Sequence, residues 1–261
     1  MGQDQAGTGE SDALMNKIIY ALCLWVWVGA AAANEGGPPL LESHANLDSK
    51  LNLQRGARTF VNYCLSCHSA SFMRYSRLVD DLGLSKETVE KNLMFTTDKI
   101  GNPMQVAMKP ADAEQWFGVA PPDLSVIARA RGADWLYSYL MSFYRDEKRP
   151  TGVNNLYFPE TAMPAVLSRL QGVQVKAAAT GEHEAVHGEG HGETMLELAM
   201  AGQQSPEEYA ATVRDLVSFM VYLGEPAKLV RYRIGFWVIA FLFVLFIVTY
   251  LMKREYWKDV H

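Results

Sequence analysis

The chain has 261 residues and a mass of 29.1 kDa, with 24 Lys and Arg against 29 Asp and Glu, for a formal net charge of −5. Hydrophobic residues at 49% and charged residues at 20% exclude a disordered or collagen-like chain, and the missing basic excess argues against a nucleic-acid binder. Three cysteines are too few for a disulfide-dense scaffold, and a mean hydropathy of −0.06 is too low for a polytopic membrane protein.

The average hides two apolar ends. Near the N-terminus, Ile18–Ala33 reads IIYALCLWVWVGAAAA, with Lys17 before it and Asn34-Glu35-Gly36-Gly37-Pro38-Pro39 after it. A basic start, a short apolar stretch and small closing residues predict a secretory signal peptide over 1–33, cleaved after Ala33. Residues 1–14 carry Asp4, Glu10 and Asp12 and no base, so Met15 is the better translation start. The alternative is an uncleaved anchor, against which the run is shorter than the ~20 residues a span needs. Cys23 leaves with the signal.

Next, Asp48 or Ser49 is placed to cap a helix on which Leu53, Ala57, Phe60, Val61 and Cys64 share one face. Gly56 on that helix allows a close helix contact. The helix delivers Cys64-Leu65-Ser66-Cys67-His68, and C-x-x-C-H is the attachment pattern of c-type haem. Two thiols three positions apart reach two vinyl groups as thioethers, and the adjacent histidine falls under the iron. Three alternatives remain open: a redox-active dithiol, a zinc site and a structural disulfide. The first wants a βαβ context and the second wants further ligands at zinc spacing. The third leaves His68 idle.

Residues 69–162 read as short helices and loops. Ser85 caps a helix containing Val89, Leu93 and Met94. Pro121-Pro122-Asp123-Leu124 starts another, with proline early. Arg129 and Arg131 follow, either one suited to an anionic propionate. Asp134 caps a third helix bearing Trp135, Tyr139 and Phe143 as an aromatic stripe.

A second axial ligand decides what a haem does. An open site favours oxygen or peroxide chemistry, whereas Met or His closes the iron for electron transfer. The exported candidates are Met73, Met94, Met104, Met108, Met163, Met195, Met200, His44, His183, His187 and His191. Met163 is favoured, because Pro159 and Pro164 stiffen its loop and its distance from His68 leaves chain to wrap the haem. The alternative is a methionine filling a core gap.

Further on, Glu182–Glu193 (EHEAVHGEGHGE) spaces His183, His187 and His191 by four, but Gly188, Gly190 and Gly192 oppose a helix, so an acidic solvated loop is expected over a metal site. Ser205-Pro206-Glu207-Glu208 is a capping box. The helix it opens buries Tyr209, Val213, Leu216, Val217, Met220 and Leu223 and stops at Gly224 and Pro226. Lys228–Arg233 then reads as a linker to Ile234–Met252, 19 uncharged residues spanning roughly 28 Å. Bases flank both sides of this span, so the signal peptide sets the orientation: residues 34–228 outside as the haem domain, 229–252 as linker and membrane helix, 253–261 cytoplasmic. The exported part carries 18 Lys and Arg against 24 Asp and Glu, suited to steering a basic partner.

Several stretches together resemble the cytochrome c1 family, the haem c subunit of ubiquinol–cytochrome c oxidoreductase complexes, of bacterial type. They are Tyr63-Cys64-Leu65-Ser66-Cys67-His68-Ser69, Ala120-Pro121-Pro122-Asp123-Leu124-Ser125, Ala128-Arg129-Ala130-Arg131, Tyr157-Phe158-Pro159, Ala162-Met163-Pro164, and the span ending in Met252-Lys253-Arg254. The resemblance implies a mostly α fold: a class I cytochrome c-like haem domain with extra loops and one C-terminal transmembrane helix. It implies one covalent haem c, iron held by His68 and Met163, Arg131 paired with a propionate, and Pro122 and Trp135 bordering the haem. The family often has a tyrosine where Trp135 stands, and its pattern does not extend to 182–193. The implied partners are a cytochrome b subunit, a Rieske iron–sulfur protein, a cytochrome c acceptor and membrane lipid, in a dimeric complex of the bacterial inner membrane with the haem domain in the periplasm.

The expected function is electron relay from the Rieske protein to cytochrome c, the subunit performing no bond chemistry of its own. The competing readings are a tethered cytochrome c serving a terminal oxidase or reductase, a haem sensor or peroxidase with an open iron, and a tethered binding module with a Cys64–Cys67 disulfide.

Overall fold

The computed structural model describes residues 38–177 and 196–258. The expected signal peptide, the start at Met15, Cys23 and the histidines of 182–193 lie outside the described residues. In chain order the elements are α1 (Lys50–Tyr63), β1 (Ala70–Arg74), α2 (Ser76–Asp80), α3 (Lys86–Asn92), β2 (Pro103–Met104), α4 (Pro110–Phe117), α5 (Ile127–Arg131), α6 (Ala133–Met141), β3 (Phe143–Arg145), β4 (Val153–Asn155), α7 (Ser168–Gln171), β5 (Gly172–Lys176), β6 (Leu196–Ala201), α8 (Pro206–Gly224) and α9 (Lys228–Tyr256).

Ser49 opens α1 by accepting the Asn52 amide, one of the donors a helix start leaves bare. The expected stripe is the buried one, with Leu53, Ala57, Phe60 and Val61 all at 5% exposure or less. Its partner is α8, opened by the expected capping box between Ser205 and Glu208 with Pro206 in the first turn. Gly56 marks the crossing: a Cβ there would stand 2.1 Å from the Asp215 carbonyl oxygen and 2.7 Å from Phe219 Cβ. Above it the Phe60 and Phe219 rings meet at 5.5 Å, and Arg55 pairs with the buried Asp215 at 2.6 Å. Each fully buried Leu, Val or Phe in this seam contributes about 1.5–3 kcal/mol. An exposed pair such as Lys91–Glu87 contributes a few tenths, so the seam decides the fold.

The helix α6 also lies against α8, where Tyr209 donates to the Leu140 carbonyl at 2.8 Å. Residues 38–49 lace across both helices. The Leu41 amide donates to Ser138 Oγ, the Asn46 amide to Ser218 Oγ, and the Ser43 amide and hydroxyl to the Asp134 carboxylate.

Three antiparallel strand pairs are present among the described residues, two of them where only short helices and loops were expected up to residue 162 and the third beyond it. β1 pairs with β2, β3 with β4 in the register Phe143↔Asn155, and β5 with β6 from Gly172↔Ala201 to Lys176↔Leu196. These contacts join residues far apart in sequence, which periodicity does not reveal.

Local boundaries also differ from expectation. No helix starts at Pro121: the Asp123 carboxylate instead accepts the Ser125 and Ser71 amides, holding 121–124 as a loop before α5. Asp134 sits inside the first turn of α6 and is engaged by Ser43, while the cap position is Gly132, at φ 90°. That left-handed residue ends α5 and begins α6 within one step, a conformation glycine adopts without penalty. Phe143 belongs to β3 because α6 ends at Met141, and the Ser85-capped helix ends at Asn92, short of Leu93 and Met94. The expected linker Lys228–Arg233 is helical and continuous with the span, so the break between α8 and α9 is Glu225–Ala227. Over Val230–Tyr256, α9 is long and apolar enough to cross a membrane, with a mean hydropathy of 2.6, and its side chains are left largely exposed among the described residues.

Candidate functional site

The last turn of α1 does not stop cleanly. Cys64 and Leu65 amides both donate to the Phe60 carbonyl, and the Cys67 and His68 amides both donate to the Cys64 carbonyl. This tight turn carries both thiols and the imidazole out of the helix end together. Cys64 is buried at 8% exposure and Cys67 is half-buried, and both thiols are free. The next residues are stitched to the 121–125 loop: Leu124 N donates to the Ser69 carbonyl at 2.8 Å, Ser71 N to Asp123. Within that seam His68 Nδ1 meets the Pro122 carbonyl at 2.8 Å. A carbonyl only accepts, so the proton sits on Nδ1 and the lone pair on Nε2, the tautomer of a metal-ligating histidine with a carbonyl behind it. Burial holds the imidazole pKa below its ordinary value, against smaller opposing effects of Pro122 and Asp123, so the ring is neutral at pH 7.

A second assembly comes from the β3–β4 hairpin. The buried Asn155 accepts the Tyr157 and Phe158 amides and donates to the Tyr139 carbonyl, and Asn154 accepts the Glu160 amide. The 157–163 loop is thereby tied to α6. Glu160 takes φ 62° there, with Arg149 donating to its carbonyl. On α6, Trp135 and Tyr139 stack at 5.1 Å, and the Arg131 guanidinium lies 5.0 Å from the Trp135 ring and 5.9 Å from Phe158.

Between the two assemblies lies a cavity of about 510 Å³, within the ~300–1,000 Å³ typical of cofactor sites. Cys64, Cys67, His68, Pro122, Arg131, Trp135 and Met163 all line it, whereas Arg129, the other arginine suited to a propionate, is not among its lining residues. Leu124, Ile127, Leu136, Leu140, Val166 and Met220 supply apolar wall. Arg131 enters no ion pair among the described residues, leaving a cation at an apolar cavity with no counter-anion from the chain. The donor set suits a largely apolar, anionic group carrying a borderline metal: two thiols for covalent attachment, one imidazole, one thioether and one guanidinium.

The competing chemistries fit poorly. Among the described residues no three His, Cys, Asp or Glu gather as a metal site, against zinc at Cys64 and Cys67. Burial, with a smaller effect of Cys67, pushes the Cys64 thiol up to about 12, whereas a redox-active dithiol needs a depressed thiol.

Three contributors escaped the sequence reading. The Pro122 carbonyl, not its ring, orients His68. Thr161 accepts the Met163 amide at 3.3 Å, a local pattern that a threonine two residues before the methionine signals. Tyr139, placed in a core stripe, has its hydroxyl 3.0 Å from Thr161 Oγ1 and 3.4 Å from the Met163 sulfur. Burial pushes its phenol up, outweighing the Thr161 contact, so it keeps its proton.

The Cytochrome C1 family model matches residues 44–177 and 197–260, passing over the acidic stretch between. A cytochrome c1 of Allochromatium vinosum is 46% identical over 250 residues, covering 95% of this chain and all of its own. A protein named ammonia monooxygenase gamma subunit, of Nitrosomonas europaea, is 45% identical over 247 residues, covering 94% of this chain and all of its own. A cytochrome c1 of Rhodospirillum rubrum is 27% identical over 280 residues, covering 89% of this chain and 92% of its own. A solved chain of a hyperthermophilic respiratory Complex III aligns over 95% of this chain and 99% of its own at TM-score 0.46 and 16% identity. With a family match over both the cavity-bearing domain and the apolar C-terminal helix, the chain belongs to the cytochrome c1 family.

Proposed function

We propose that this chain is the electron-transfer subunit of a quinol–cytochrome c oxidoreductase, accepting single electrons from a Rieske iron–sulfur protein and passing them to a cytochrome c. Membership of the family implies a haem c, and the observation that carries the reading is the shared cavity of Cys64, Cys67, His68 and Met163. When bound, haem would supply a one-electron couple. Cys64 and Cys67 would hold it covalently, His68 and Met163 would bind its iron, and Arg131 would pair with a propionate. Pro122 would fix the His68 ring from behind, and Trp135 would hold Arg131 in place and border the group. With His68 and Met163 both bound to the iron, the chain would relay electrons only and would need no general acid or base of its own.

The rest of the reading is topological. Residues 1–33 serve as signal peptide, 34–228 form the haem domain in the periplasm, 229–252 carry the linker and transmembrane helix, and 253–261 form a cytoplasmic tail. The chain then crosses the bacterial inner membrane once, in contact with lipid, beside a cytochrome b subunit and the Rieske protein in a dimeric complex. The relative named as a monooxygenase gamma subunit favours a second reading, in which the same haem domain serves a monooxygenase.

Purification through a tag on this chain distinguishes them. The first reading expects b-type haem and a Rieske signal to travel with c-type haem, and quinol-dependent reduction of cytochrome c. Co-purification of monooxygenase subunits without b-type haem supports the second and contradicts the first.

A further inference from the structure

The Met163 sulfur sits in a closed circuit of hydrogen bonds whose proton directions are fixed by chemistry. A thioether has no proton, so at the 3.4 Å contact Tyr139 is the donor. A phenol has one proton, so at the 3.0 Å contact Thr161 donates to the Tyr139 oxygen. The Thr161 oxygen then accepts the Met163 amide at 3.3 Å, and the circuit returns to the residue where it began. The Tyr139 ring cannot easily swing away, because it is stacked 5.1 Å from Trp135 at an interplanar angle of 7° and meets Phe143 edge-on at 5.0 Å.

We propose that Tyr139 is a positioning residue which, by donating its proton to the Met163 sulfur, raises the reduction potential of the bound haem, with Thr161 as the residue that orients the phenol. The inference rests on the reading of Met163 as an axial ligand. A proton donated to the thioether draws electron density from sulfur. Sulfur then donates less to the metal, and the oxidised state, which depends more on that donation, is weakened more than the reduced state. Thr161 also tethers the Met163 backbone, so one hydroxyl constrains both ends of the ligand residue.

The test uses the assembled complex and two readouts other than turnover: the midpoint potential from a redox titration, and the red-edge absorption band of the oxidised form that reports sulfur on iron. Tyr139→Phe keeps the ring and its stacking and removes only the donor. The band is retained and the one-electron equilibrium moves about threefold toward the oxidised form, about 28 mV lower at the ~59 mV per tenfold of a one-electron couple. Thr161→Val lowers the potential less and adds little in the Tyr139→Phe background, whereas Thr161→Ser leaves it unchanged. An unchanged potential in Tyr139→Phe, or full additivity of the two shifts, overturns the proposal. If Tyr139→Phe does not assemble, the Thr161→Val and Thr161→Ser pair carries the test, and equal potentials overturn it. Met163→Leu separates the two levels: a band that survives this change means the axial reading has failed, whereas a lost band with an unmoved Tyr139→Phe potential means that only the Tyr139 inference has failed.

Discussion

Individual side chains in this domain act on the cavity through neighbours several positions removed from it. Asp134 does not touch the cavity, yet its carboxylate accepts the Ser43 amide at 2.8 Å and the Ser43 hydroxyl at 2.7 Å, pinning the N-terminal lacing to the helix that carries Trp135 and Tyr139. Those bonds, the amide first, hold its pKa below the ordinary carboxylate value. A depressed folded-state pKa means that the ionised form stabilises the fold, fully above the ordinary pKa of about 3.9, with loss as pH falls through the folded value. Asp134→Asn should therefore lower the melting temperature at pH 7, and the gap to the native chain should narrow as the pH falls below about 4. A gap constant from pH 7 to pH 3 would sink that account. The signals legible at this scale were those written within a few residues. Ser49, the Ser205–Glu208 box and C-x-x-C-H each carry their partners nearby. Asp134 looked like a cap because its type suits one, but Ser43, 91 positions away, claims it.

At the scale of elements, the α1–α8 crossing positions the motif, because α1 ends at Tyr63 and its final turn holds both cysteines and His68. Gly56 permits that crossing, with the Asp215 carbonyl oxygen 2.1 Å from where a Cβ would stand. Backbone cannot yield as a flexible side chain does, so Gly56→Ala should cost about 3 kcal/mol or more and displace Cys64. The expected outcome is a lower melting temperature together with less chain-bound chromophore per polypeptide, whereas a native melting temperature would show that the helices can separate at little cost. The glycine was legible as a contact point; its partner was not. The same holds for the Met163 loop. Its prolines marked it as stiff, but what ties it down is Asn154 and Asn155 on a hairpin that no local periodicity announces. Proline misled at 121–122, since an early-helix preference also suits a loop, and Asp123 spends its carboxylate on Ser125 and Ser71 there.

Across the whole molecule, Met220 lines the cavity and Lys228 begins α9, so the cavity wall and the apolar helix share nearly continuous chain. The break between them is Glu225–Ala227, with Arg231 paired back to Glu225 at 2.5 Å. Under the proposed function, so short a connection would keep the cavity near the bilayer, within reach of a membrane-bound donor and a diffusing acceptor. Everything proposed for the molecule depends on a haem joined to Cys64 and Cys67. The most direct measurement takes the purified chain, denatures it, extracts it with acid acetone, and records its alkaline pyridine spectrum after reduction. Pigment that stays with the polypeptide, with the band position of a haem bearing two thioether links, is the predicted result, and its loss in a Cys64→Ser, Cys67→Ser double variant should follow. A polypeptide left colourless by the extraction would contradict the account.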